Sequence, residues 1–111
     1  MAFFVEIPKE NQVKLGEWLE AKSKEVASQT ENALRVRANS KYTGVIKFID
    51  KVGGKVLYKP PHTHIVTLKE IPREISLEGY STYQTQGLAE ALNLIGIYPY
   101  LNGLINAFVF Y

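Results

Sequence analysis

"TENALRVRANSKYTGVIKFIDKVGGK", Thr30 to Lys55, is the stretch on which the architecture turns. Its first half alternates: Leu34, Val36 and Ala38 interleave with Arg35 and Arg37, the period of a half-buried strand, with a short helix as the alternative. Its second half is helical. Ser40 is a favourable N-cap and Gly53 a favourable residue just past a C-terminus, so the pattern predicts a helix over Ser40–Val52. At about 100° per residue, Phe48, Val52, Val45, Ile49, Tyr42 and Ile46 share one arc, with Gly44, Lys47 and Lys51 beside it. The β-branched residues weaken this helix, because they lose χ1 freedom there.

Upstream, Ala2–Ile7 reads as a strand. Pro8 suits a helix start, and Lys9 to about Ser28 places Leu15, Trp18, Leu19, Lys22 and Val26 on one face. Glu10–Lys14 and Glu20–Lys24 are i,i+4 pairs in the favourable order. Downstream, "KVLYK" and "HIVTLKE" form an antiparallel hairpin around the proline-stiffened tip "PPHT", and "IPREISLEG" is an extended or turning segment. In the last third, Thr85–Ile95 reads as a buried helix and Leu104–Tyr111 as a buried strand or helix. The fold class expected is α+β: a single small domain of two to three helices with an antiparallel β-hairpin and an N-terminal strand. Either the helix 40–52 and the hairpin stand alone, or strands 2–7 and 33–38 join the hairpin and a C-terminal strand in one small sheet.

Charge is unevenly laid out in these 111 residues. Between residues 22 and 59, nine bases against Glu25, Glu31 and Asp50 give +6, although the whole chain carries only +2. From Ala91 to Tyr111 there is no charge at all. That run is long enough to span a bilayer, but Asn93, Pro99, Asn102 and Asn106 interrupt it and no basic flank follows, so no membrane segment is expected. The N-terminal apolar run is too short for a signal peptide, and a cytoplasmic or intracellular location is expected. Without cysteine, disulfides, thiolate metal sites and cysteine catalysis are excluded.

Chemistry-bearing motifs are sparse. His62 and His64 would point the same way in an extended segment, but a metal site needs further ligands, and no third histidine exists. Asp50 is the only aspartate, and the sequence holds no GxGxxG, GxxxxGK[ST] or HExxH. No catalytic residue, metal or cofactor is therefore expected, and an enzyme is disfavoured.

The basic block suggests an anionic partner. A lysine-bearing helix followed directly by a basic hairpin resembles the recognition helix and wing of a winged helix-turn-helix module, over roughly residues 31–70. That resemblance implies base contacts from Lys41, Tyr42 and Thr43. The leading expectation is a non-enzymatic protein that binds nucleic acid through phosphate contacts from Arg35, Arg37, Lys41, Lys47, Lys51, Lys55 and Lys59. It would self-associate through Tyr80, Tyr83, Tyr98 and Tyr100, since tyrosine-rich, charge-poor surfaces favour interfaces. The alternative is a homo-oligomeric structural or protein-interaction subunit, such as a particle component or an inhibitor docking on a larger partner.

Overall fold

The computed structural model of the chain describes residues 4–59 and 62–110. Elements run β1 (Phe4–Glu6), α1 (Lys9–Ser28), α2 (Asn32–Lys51), β2 (Lys55–Lys59), β3 (His62–Thr67), β4 (Glu70–Pro72), β5 (Glu74–Ser76), α3 (Thr82–Leu94), β6 (Tyr100–Asn102) and β7 (Ala107–Val109). The α+β class is as expected, with three helices and short antiparallel strands.

The alternating segment 33–38 is not a strand: it forms the first two turns of α2, which begins at Asn32, so Ser40 lies inside the helix rather than capping it. Residues 31–37 are all exposed, so the alternation had no buried face to serve. Ala33, Leu34, Arg35 and Arg37 are good helix formers, and extending an existing helix costs far less than nucleating a new element. The other end of α2 is as expected: Gly53 sits at φ +78°, the left-handed conformation that ends helices.

The strands form three small sheets rather than one. β1 pairs with β4, β2 with β3 as the expected hairpin, and β7 lies between β5 and β6. Pro60 and Pro61 at the hairpin tip, residues 2–3 of the expected first strand and Tyr111 lie outside the described residues. The expected final strand is present as β7, shorter than proposed.

Helices dominate the core. Leu15 and Leu19 of α1 meet Val45, Phe48 and Ile49 of α2 and Leu88, Ala91 and Leu92 of α3, and Ile71, Ile75, Phe108 and Phe110 close the layer from the sheets. Gln12 fastens strand ends to α1: its amide donates to the Ile7 carbonyl at 3.0 Å and its oxygen accepts from the Leu68 amide at 3.3 Å. Among the described residues, no helix is long and apolar enough to cross a membrane.

α2 and α3 approach each other through two glycines. A Cβ on Gly44 would run into the Gln84 carbonyl, and one on Gly87 into the Lys41 backbone. Both obstacles are main chain, which cannot swing aside.

Gly44→Ala and Gly87→Ala are expected to destabilise. In an exposed helix, alanine would gain about 1 kcal/mol over glycine. Here the helices must separate, an overpacking cost of about 1–3 kcal/mol or more, and overpacking should win. Gly103→Ala is the control, because nothing lies within 4 Å of the added carbon. Thermal unfolding should show both helix variants melting several degrees lower and the control within error of the parent.

Candidate functional site

The sequence-derived basic residues divide into three places. Arg35 and Arg37 stand on the exposed first turns of α2. Lys41, Lys47 and Lys51 run along the seam between α2 and α3. Lys55 is exposed at the start of β2, whereas the side chains of Lys59, His62 and His64 lie outside the described residues. A 20-residue helix is about 30 Å long, so the two ends of this set are far apart.

Along the seam the lysines meet α3, the turn before it and the end of β5. Lys41 Nζ contacts Glu90 Oε2 at 3.0 Å. Lys47 Nζ donates to the Gly79 carbonyl at 2.6 Å and to Gln84 Oε1 at 3.1 Å. Lys51 Nζ donates to the Ser76 carbonyl at 2.8 Å. The readers implied by the helix-turn-helix resemblance are therefore misplaced. Lys41, Tyr42 and Thr43 sit in the third turn of α2, not at its N-terminus, because the helix begins at Asn32. Tyr42 packs against the core, and the Thr43 hydroxyl donates to the Asn39 and Ser40 carbonyls.

Two of the four tyrosines belong to this same seam. Arg37 lies over the Tyr83 ring at 4.9 Å, and Lys47 and Lys51 flank the Tyr80 ring at 4.9 and 5.6 Å. Cations at such distances are attracted by the ring quadrupole. Tyr80 is half-buried against the core, and its buried hydroxyl lacks a hydrogen-bond partner among the described residues. Burial pushes that phenol up to about 12.

Glu90, the single acid of the last third, ties the three helices. Its carboxylate accepts from Trp18 Nε1 of α1 at 3.3 Å, lies 3.6 Å from Lys22 Nζ, and takes the Lys41 contact from α2. Lys22 is otherwise buried on α1, over the Trp18 ring and 2.9 Å from Glu25. Burial alone would raise the Glu90 carboxyl. The hydrogen bond from Lys41, the charges of Lys22 and Lys41 and the hydrogen bond from Trp18 outweigh it and hold the group below its ordinary value.

One signal in the sequence went unread. Ser81 and Gln84 form a reciprocal capping box: the Ser81 hydroxyl accepts from the Gln84 amide at 3.2 Å, and Gln84 Oε1 accepts from the Ser81 amide at 2.9 Å. The Ser-x-x-Gln spacing marks this start. It sets α3 at Thr82, three residues before the expected Thr85, and brings Tyr83 onto the helix.

The remaining surface differs in kind. Tyr98 and Tyr100 lie past the C-terminus of α3 with Leu94, Leu101, Leu104 and Ile105, all exposed; Leu104 is 98% and Tyr98 75% accessible. The four tyrosines thus fall into two separate pairs. Among the described residues, no three His, Cys, Asp or Glu side chains could hold a metal ion. A groove of about 190 Å³ between α1 and β3 is lined by Val13, Gly16, Ile65 and Val66 together with Lys9, Glu17 and Glu20. No family model, curated protein or solved structure matches the chain.

Two outcomes are expected. Glu90→Gln should cost about 1 kcal/mol at neutral pH. Because the folded carboxyl titrates below its ordinary value of 4.5, its contribution is present above that pH and lost as pH falls. Melting curves of parent and variant should therefore converge in acid. Tyr80→Phe removes an unpartnered buried hydroxyl and should leave the melting temperature unchanged or raise it. With a folded value near 12 against 10 unfolded, the folded state resists ionising Tyr80, so the group leaves stability independent of pH below 10 and lowers it as pH rises from 10 to 12. The phenylalanine variant should lose less stability over that alkaline interval.

Proposed function

We propose that the protein is a small interaction subunit that assembles through its charge-poor C-terminal third, in the manner of a structural component rather than a catalyst. The supporting observation is the run of six exposed large apolar side chains between Leu94 and Ile105, on a segment without a charge. Scattered exposed leucines are ordinary on any surface. A nearly fully accessible Leu104 beside Ile105 on a tight turn, with two tyrosines next to it, is a concentration that water disfavours and a partner surface relieves. Tyrosines supply such interfaces with large contact area.

A second reading has its own observation. Arg37, Lys47 and Lys51 lie along one seam with Tyr80 and Tyr83 beneath them, an array of cations and rings compatible with a phosphate backbone. Against it, Lys41 is matched by Glu90, and the heads of Lys47 and Lys51 already donate to main-chain carbonyls. The assembly reading meets no such competition at Leu104.

Light scattering over a wide concentration range tests the first reading. The expected result is a concentration-dependent mass above that of the 12.5 kDa monomer, reduced by Leu104→Glu or Tyr98→Glu without loss of helical signal. A strict monomer at every concentration, or an unchanged mass in both variants, counts against it. Fluorescence anisotropy with labelled oligonucleotides tests the second: binding at low salt that weakens steeply as salt rises would support it, and none at low salt would remove it.

A further inference from the structure

We infer that the partner at this surface is a second copy of the chain, paired antiparallel along the outer edge of β6 so that two β5-β7-β6 sheets become one continuous sheet about a two-fold axis at Leu101. This rests on the assembly reading above and specifies its geometry.

Hydrogen-bond parity shows which groups that edge presents. In the β5–β7 pair, the Phe110 amide donates to the Arg73 carbonyl at 2.7 Å and the Leu77 amide to the Asn106 carbonyl at 2.8 Å. Bonded positions alternate along an antiparallel ladder, so Ile75 and Phe108, midway between those pairs, also exchange bonds. The Phe108 main chain is therefore turned toward β5. Its other neighbour, Leu101, is then a non-bonded pair, and Tyr100↔Val109 and Asn102↔Ala107 are the bonded ones. It follows that the N–H and C=O of Leu101 both point away from β7. Among the described residues, β6 has no strand on that side.

A residue presenting one donor and one acceptor side by side is its own complement under a two-fold rotation. Leu101 can give its N–H to the partner's carbonyl and receive the reverse bond. This is the isologous arrangement that two-fold dimers require.

Charge and side-chain area point to the same occupant. Folded proteins blunt sheet edges with charges and prolines. β1 carries Glu6, β2 Lys55 and Lys59, β4 Glu70 and Pro72, and β5 Glu74. β3, His62–Thr67, and β6, Tyr-Leu-Asn, carry neither, and of these two it is β6 that runs into the exposed Leu104 and Ile105. A homodimer interface of standard size buries about 800 Å² per partner, roughly 65% of it apolar. The six exposed side chains from Leu94 to Ile105 together offer on the order of 500 Å² of apolar surface, the amount such an interface uses. A like, uncharged surface also incurs no charge repulsion when it meets itself.

The test exploits the outward direction of the Leu101 amide. Leu101→Pro deletes that N–H without removing a bond to β7, a substitution edge strands accommodate. It should weaken association about tenfold or more while the monomer keeps its circular dichroism; Leu101→Val, which retains the N–H, should stay associated. In the parent, the Leu101 amide should exchange slowly in the associated state and rapidly on dilution, a readout that holds even if the proline variant fails to fold. Because the chain has no native cysteine, Leu101→Cys should also be linked into a covalent dimer by a short bifunctional thiol reagent, the paired Cα atoms being about 5.5 Å apart. Edge pairing is overturned if a folded Leu101→Pro protein associates as tightly as the parent, or if the Leu101 amide exchanges at the solvent rate in the associated state. If Leu104→Glu still dissociates the assembly in that case, the assembly reading survives and only its edge geometry fails. A parent monomeric at all concentrations sinks both.

Discussion

The close crossing of α2 on α3 at Gly44 and Gly87 is the constraint on which the rest of the molecule depends. With no side chain at either point, backbone lies against backbone, and neighbouring groups come within reach that a wider spacing would separate. Phe48 and Leu88 then bury in one core. Lys41 reaches Glu90 across the same contact, and Lys47 reaches the turn that leads into α3. The lysines of α2 therefore depend on the glycines between them: they clamp a junction that the glycines make narrow.

That explains why the basic block misleads when read as sequence. Its charge is real, but three of its members spend their donors holding α3 and the preceding turn in place. Charge counting registers sign and density; it is blind to the carbonyl and carboxylate acceptors supplied by a segment 25 to 49 residues away. Glu90 illustrates the converse. The solitary acid of a charge-poor third carries no local pattern that marks its role, yet it receives contacts from both other helices.

Much of the fold was legible where local chemistry was decisive. The periodicity of Lys9–Ser28, the glycine after Val52 and the hairpin following it each carry their signal within a few residues. The segment 32–38 was not, because a helix that projects beyond the core needs no amphipathic pattern and a chance alternation imitates a strand. The division into three sheets was equally hidden, since strands of three residues hold too little pattern to name their partners. The start of α3 is encoded in the Ser81–Gln84 spacing, a local signal independent of the apolar pattern that begins near Thr85. Of the candidate site, residue types were visible but their grouping was not. Tyr80 and Tyr83 joined the lysines rather than Tyr98 and Tyr100, a partition set by the 13-residue length of the helix between them.

The exposed opening turns of α2 have a practical corollary. Residues 31–36 are exposed, and the connection from α1 spans only Gln29 to Glu31. Residues inserted at this exposed connection leave the packed layers untouched. That end of the molecule is thus a natural attachment point for a reporter or a fused domain, on a part of the chain distant in sequence from the strand edge where copies are inferred to meet.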